Sequence, residues 1–188
     1  MDPVIDTASE LRSLRKTDPA GALVLADESL RRWPDEVEIR NAVSWIYLDC
    51  IFSTISSTTE DAEIHRCLAL LNVMASWTPS GAYSTSDATA QCAVTVAKSL
   101  NGCGRAAQAL DALDLLRPED ITDKPSKKFA SLRSRWYVER TRSLELLRRW
   151  EELIACCDDA FTNSTIGRHS VEKVRLRIEK AKVQFDEA

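Results

Sequence analysis

The stretch ALVLADESLRRWP, residues 22–34, decides the fold class. Ala22 is followed four positions later by Ala26 and three positions after that by Ser29, and Pro34 follows five positions later. Residues at i, i+4 and i+7 lie on one face of an α-helix, and proline is not tolerated in a helix interior. The stretch therefore predicts a helix that buries one narrow face and ends just before Pro34.

The same spacing recurs three more times along the chain. The copies are CLALLNVMASWTP at 67–79, AAQALDALDLLRP at 106–118 and, with threonine in place of the last proline, LIACCDDAFTNST at 153–165. A helix that buries only one stripe needs neighbours to complete a core. Internal repetition of this kind predicts an array of paired helices.

Helix signals occur along the whole chain, and strand alternation is almost absent. Asp18 precedes Pro19, which places a capping residue before a proline at the first helical position. The pattern predicts an all-α protein with about nine helices, whose short connections favour antiparallel neighbours. The predicted helix pairs span about 5–34, 36–79, 84–118 and 125–162, and a capping helix spans 168–186.

This pattern resembles the second helix of the tetratricopeptide repeat family, and Ser44 with Tyr47 resembles its first helix. The resemblance implies one domain over residues 1–188, a right-handed α-solenoid of about four antiparallel helix pairs with a C-terminal capping helix. The repeats begin 45, 39 and 47 residues apart, whereas the family repeats every 34 residues. Another helical solenoid, of the HEAT or armadillo type, and a closed helical bundle therefore stay open as alternatives.

The composition favours a binding protein over an enzyme. A chain of 188 residues with 44% hydrophobic and 29% charged residues has enough apolar side chains for a core. Five glycines and two histidines argue against phosphate loops and most metal or acid–base sites. His65 and Cys67 are a possible thiolate–imidazole pair, but Cys67 occupies a buried position of the repeat. We therefore expect no catalytic residue, no metal and no cofactor.

The chain carries no recognisable targeting signal. The first residues are acidic where a secretory signal would be basic, and no run of apolar residues is long enough to span a membrane. The six cysteines show no regular spacing, and most fall among apolar residues, which is typical of reduced thiols in a core. These features predict a soluble, cytoplasmic or otherwise intracellular protein that does not bind membranes.

Charge is distributed unevenly along the chain. The net charge is −4, but residues 124–149 contain nine basic and two acidic side chains, a net charge of +7. The residues before this segment carry −9 and those after it −2. On the predicted helix, Lys128, Arg135 and Arg142 are seven residues apart and therefore lie along one stripe.

The tetratricopeptide resemblance implies that this stripe faces a concave groove that binds a partner segment. The same register places residues of the earlier first helices on that surface. The predicted partner-binding residues are Arg135, Arg142, Lys128, Val138, Asn41, Trp45 and Gln91.

These features predict a non-enzymatic scaffold or adaptor that binds a protein or peptide with an acidic segment. The alternative is a nucleic-acid-binding helical repeat protein that uses the basic helix 124–149, because Trp136, Tyr137 and Phe129 accompany its Lys and Arg residues. The basic helix could instead pair with acidic residues inside the protein or stay solvated. Self-association through an apolar stripe of the C-terminal helix is a further possibility.

Overall fold

A computed structural model of the chain describes residues 2–57, 60–77, 83–124, 131–163 and 168–186. The regular structure in these ranges is helical throughout, which confirms the all-α prediction. A short 3₁₀ helix spans Pro118–Asp120. The α-helices in the described ranges are α1 Pro3–Thr17, α2 Pro19–Arg32, α3 Val37–Ser57, α4 Asp61–Ser76, α5 Tyr83–Gly102, α6 Ala106–Asp114, α7 Leu132–Leu146, α8 Trp150–Asn163 and α9 Arg168–Asp186.

The first two helices begin at an aspartate followed by a proline. The Asp2 carboxylate accepts a hydrogen bond from the Val4 amide at 3.0 Å, and that of Asp18 accepts one from the Gly21 amide at 3.0 Å. The proline that follows has no amide hydrogen to leave unpaired in the first turn. The cap predicted at Asp18 is confirmed.

Two helices differ in length from the sequence expectation. α7 begins at Leu132, where the Ser131 hydroxyl oxygen caps it by accepting a hydrogen bond from the Ser134 amide at 3.1 Å, and residues 125–130 of the predicted helix lie outside the described residues. Lys124 is therefore not part of α7, and Lys128 lies outside the described residues. The helix expected to end near residue 52 continues to Ser57, since the Ser53 hydroxyl donates to the Cys50 carbonyl at 2.9 Å and is satisfied within the helix.

The repeated triads are the buried faces of four helices. The twelve side chains concerned are each at most 4% exposed. The burial confirms that the repeated spacing marks the face on which these helices pack. The buried triads are Ala22, Ala26 and Ser29 on α2, Cys67, Leu71 and Met74 on α4, Ala106, Leu110 and Leu113 on α6, and Leu153, Cys157 and Ala160 on α8.

The chain divides into two compact units, Met1–Cys92 and Ala93–Ala188. In the first unit, α1 packs against α2 and α3, and α3 also packs against α2 and α4. In the second unit, α7 packs against α6, α8 and α9, and α8 also packs against α9. Each unit therefore contains a helix hairpin that packs on the next helix of the chain.

The last helix completes the core of the second unit. Val174 and Ala181 are buried, and Ile178 packs against the same apolar cluster, which also contains Leu144 and Leu153. These three positions of α9 form one helical stripe. Within the residues described here, we find no helix with both the length and the apolar character that a membrane crossing requires.

Candidate binding surface of the second unit

Two arginines of α7 fasten the helix to its neighbours. The Arg133 guanidinium donates to the Ile121 carbonyl at 2.8 Å and to the Asn163 carbonyl at 3.0 Å. The guanidinium of Arg140, seven residues further on, forms an ion pair with Asp114 and lies 5.1 Å from the centre of the Trp136 ring. Arg133 and Arg140 therefore serve the fold of the second unit.

The other two arginines, Arg135 and Arg142, lie roughly 200° around the helix from this pair. Within the described residues, the side chain of Arg135 makes neither an ion pair nor a hydrogen bond. The Arg142 guanidinium is 3.9 Å from the Glu139 carboxylate, and its side chain is 38% exposed. We call Arg135 and Arg142 the open arginine pair, because the described contacts leave their hydrogen-bonding capacity largely unused.

A pocket of about 350 Å³ adjoins one end of the open arginine pair. It lies between the end of α7, the turn to α8 and the middle of α9. Four of its lining residues are cations and one is a carboxylate, so its walls carry a clear excess of positive charge. The lining residues are Arg142, Glu145, Leu146, Arg148, Trp150, Arg177, Lys180 and Gln184.

Glu145 shows how this pocket holds a carboxylate. Its two oxygens accept hydrogen bonds from Arg177 Nε at 3.1 Å and from Lys180 Nζ at 2.7 Å. Burial raises the pKa of Glu145, but the hydrogen bonds and charges of Lys180 and Arg177 outweigh burial, so the pKa lies below its ordinary value. Glu145 is therefore ionised at neutral pH, and two cations of the pocket are engaged with it.

Arg148 occupies a backbone position that favours glycine. Its φ is 57°, in the left-handed region, and α7 ends there with hydrogen bonds from the Arg148 amide to the Glu145 carbonyl at 3.1 Å and from the Arg149 amide to the Leu144 carbonyl at 3.0 Å. This is the Schellman motif, whose left-handed residue is usually glycine. A left-handed conformation costs a residue with a side chain about 1–2 kcal/mol.

The end of α5 shows the usual solution to the same turn. Gly104 has a φ of 76°, and its amide donates to the Asn101 carbonyl at 3.3 Å. The next amide, that of Arg105, donates to the Leu100 carbonyl at 2.9 Å. The two helix ends share one hydrogen-bonding pattern, and only α7 has an arginine where α5 has glycine.

The remaining partner-binding predictions are described unit by unit. Val138 is half-buried, packs against the apolar cluster of the second unit, and its carbonyl accepts a hydrogen bond from Arg177 at 3.3 Å. In the first unit, Asn41 and Trp45 lie one turn apart on α3, and the Arg15 guanidinium is 5.3 Å from the centre of the Trp45 ring. Gln91 is half-buried on the part of α5 that belongs to the first unit.

Of the residues that line this pocket, Arg142 alone is among the predicted partner-binding residues, because the prediction follows the cations of one helix. The sequence LLRRW, residues 146–150, contains a local signal of this unusual turn, because two leucines and two arginines connect the helices where a glycine is usual. Arg177 and Lys180 lie three and six residues after the buried Val174 on α9. Only the packing of α9 on α7 brings them to Glu145.

The chemistry considered around Cys67 has an unfavourable environment. The side chain is buried, and burial raises the pKa of its thiol to about 11. A thiol with that pKa is almost entirely protonated at neutral pH and is a poor nucleophile. In the part of the chain that the structure describes, no three histidine, cysteine or acidic side chains are grouped so that they could hold a metal ion.

Comparison with protein-family models, with curated proteins and with solved structures finds no match to this chain.

Proposed function

We propose that the protein is a non-enzymatic scaffold or adaptor, and that it binds an acidic segment of a partner protein through the open arginine pair. One observation carries the proposal. Of the four arginines on α7, Arg133 and Arg140 are engaged in contacts that hold the fold, whereas Arg135 and Arg142 form a separate stripe that is largely unengaged by the part of the chain that the structure describes.

The open arginine pair matches a partner with spaced acidic side chains. Seven residues of α-helix span about 10 Å, so the two guanidinium groups can each bind a different carboxylate of one segment. Guanidinium groups bind carboxylates with two parallel hydrogen bonds. Each such contact contributes about 1.5–3 kcal/mol when it is shielded from water.

The tetratricopeptide-like, right-handed solenoid is part of the same proposal. Its support is the spacing of the four buried triads and the packing within each unit, where a helix hairpin packs on the next helix. Helical repeats of this kind present extended surfaces for partner segments. The proposal of a scaffold follows from that general property and from the open arginine pair.

The nucleic-acid alternative loses one of its supports. Trp136 and Tyr137 are buried, and each donates a hydrogen bond inside the unit, to the Leu113 carbonyl at 3.1 Å and to the Asp159 carboxylate at 2.5 Å. Phe129 lies outside the described residues. Stacking on bases requires exposed aromatic rings, so an acidic protein segment is the partner that the described part of α7 favours.

The test is a quantitative co-purification with the double variant Arg135→Glu, Arg142→Glu. The matched control is Arg175→Glu, Lys182→Glu, which reverses two exposed charges, also seven residues apart, on α9. We expect at least one partner to be recovered about tenfold less with the first variant and normally with the control. Circular dichroism establishes that both variants are folded.

Two outcomes would contradict the proposal. A partner set that both variants retain equally would remove the open arginine pair from the interface. A partner set that disappears after nuclease treatment, with affinity that falls steeply as salt is raised, would favour the nucleic-acid alternative.

A further inference from the structure

We propose that the pocket between the end of α7, the turn to α8 and α9 binds one carboxylate of the partner segment, next to an apolar side chain of the same segment. We call it the Arg148 pocket, after the residue that the ligand contacts. The inference rests on the proposed function and specifies what the partner places at one end of the open arginine pair.

The charges of the Arg148 pocket fit one further carboxylate. Glu145 engages Arg177 and Lys180, while Arg142 is 3.9 Å from Glu139 and, among the described residues, has no carboxylate within hydrogen-bonding distance. Arg148 is exposed and has no ion pair within the described residues. A ligand carboxylate between Arg142 and Arg148 would repeat the arrangement that Arg177 and Lys180 make with Glu145.

The backbone at Arg148 supplies an independent argument. Gly104 makes the same turn at the end of α5 with the same hydrogen bonds and without the conformational cost. Residues held in left-handed conformations against their preference tend to cluster at ligand sites. The described hydrogen bonds of Arg148 are those of its backbone, and Arg148 lines the pocket, so its side chain is the feature that glycine could not replace.

The other walls of the Arg148 pocket define the neighbour of the carboxylate. Leu146 is 50% exposed, and Trp150 is half-buried at the start of α8. Water-exposed apolar surface beside a cationic site favours a ligand that covers it with an apolar group. Glu139 and Glu145 lie close to the cations and would repel the second negative charge of a phosphate, which favours the carboxylate.

The experiment measures the binding of four fluorescently labelled peptides of equal length by polarisation. Their central pairs are Glu-Leu, Gln-Leu, Glu-Ser and phosphoserine-Leu. We expect the Glu-Leu peptide to bind wild-type protein about 10- to 150-fold more tightly than the Gln-Leu peptide, the range for one hydrogen-bonded charge pair. The Glu-Ser peptide should bind more weakly than the Glu-Leu peptide.

Arg148→Gly separates a binding role from a structural one. Glycine relieves the backbone cost, so the variant should unfold at a higher temperature than wild type and still lose tenfold or more of its affinity for the Glu-Leu peptide. Arg148→Gln removes the charge without removing the backbone cost and should lose affinity by a similar factor. Arg175→Gln, which removes an exposed cation elsewhere on α9, is the matched control and should bind normally.

Several results would overturn the pocket assignment. They are equal binding of the Glu-Leu and Gln-Leu peptides, no binding of either at about 1 mM, unchanged binding by Arg148→Gly, and tighter binding of the phosphoserine peptide. If one of these results is obtained while co-purification still depends on Arg135 and Arg142, the Arg148 pocket fails and the proposed function survives. If co-purification does not depend on them, the proposed function itself fails.

Discussion

The helices α1–α3 of the first unit and α7–α9 of the second share one packing pattern but differ in how their charges are balanced. In the first unit, Arg12 pairs with Glu38 at 2.7 Å and Arg15 pairs with Asp49 at 2.5 Å, so each of the two arginines on α1 meets one carboxylate on α3. In the second unit, Glu145 of α7 meets two cations of α9. In the same helix arrangement, a carboxylate can therefore meet one cation of a neighbouring helix or two.

The pockets of the two regions differ in chemistry and hardly in size. The first unit has a pocket of about 340 Å³ with mainly apolar walls, and its only charged lining residues are Arg15 and Asp49, which neutralise each other. The Arg148 pocket of about 350 Å³ has four cations and one carboxylate. Charge imbalance, and not volume, is what distinguishes the candidate site.

The largest effects are expected when buried leucines of the triads are truncated. These truncations test whether the triads are equivalent in the two units. Leu71 on α4 and Leu110 on α6 hold the middle position of their triads, and both are buried. Truncating a buried leucine costs about 2–5 kcal/mol, from lost burial and the cavity left behind. We expect Leu71→Ala and Leu110→Ala each to lower the free energy of unfolding by about 3 kcal/mol, measured by urea denaturation.

The control for this prediction is Val73→Ala on α4. Val73 is on the same helix as Leu71 but is 41% exposed. Its truncation should change the free energy of unfolding by about 0.5 kcal/mol or less. A cost at Leu71 or Leu110 no greater than that of the control would show that the triad does not mark a core in that unit.

The next effect compares the two sets of ion pairs directly. Arg177 and Glu145 have side chains only 14% and 22% exposed, whereas those of Arg15 and Asp49 are 32% and 45% exposed. Arg177→Met leaves a partly buried carboxylate with Lys180 alone and should cost about 2 kcal/mol. Arg15→Met should cost about 1 kcal/mol, because water compensates its exposed partner.

Urea denaturation of the two variants decides the comparison. Methionine keeps most of the apolar stem of arginine, so the measured loss reports mainly the charge and its hydrogen bonds. An equal cost for Arg15→Met and Arg177→Met would mean that the difference in exposure has no energetic consequence. The two units would then differ only in how many cations line their pockets.

The helices were predictable from the sequence because their signals are local. The spacing from Ala22 to Pro34 and the aspartate–proline start at Asp18 each depend on residues a few positions apart. The start of α7 at Leu132 is not apparent from the sequence, because a serine cap such as Ser131 also looks like an ordinary polar residue of a helix. Helix propensity alone does not show at which residue a helix begins.

The candidate site was predictable only in part. Arg142 was found because basic residues seven apart share a helical stripe. The sequence did not separate it from Arg140, which is equally basic but is held by Asp114 and Trp136. Nor does any sequence pattern reveal that Arg148 adopts a left-handed conformation or that Arg177 lies beside Glu145, since both facts depend on how the helices pack.

The smallest expected effect concerns Glu145, the carboxylate that pairs with Arg177 and Lys180 in the second unit. Because the pKa of Glu145 is lowered in the folded protein, the ionised form stabilises the fold. This contribution is fully present above the ordinary pKa of 4.5 and is lost as the pH falls through the lower pKa of the folded state. Glu145→Gln should therefore reduce stability by about 1 kcal/mol at neutral pH and by progressively less as the pH falls below 4.5.

Denaturation of wild type and Glu145→Gln over a pH series measures this difference in stability. Repeating the comparison in the Lys180→Met background completes a double-mutant cycle, which shows how much of the difference depends on Lys180. Lys180 donates the shorter hydrogen bond to Glu145, at 2.7 Å, so removing its charge should shrink the pH-dependent difference between glutamate and glutamine. A difference that persists unchanged in the Lys180→Met background would mean that Glu145 does not draw its stabilisation from Lys180. Lys180 would then be available to a ligand as a third cation of the Arg148 pocket, beside Arg142 and Arg148.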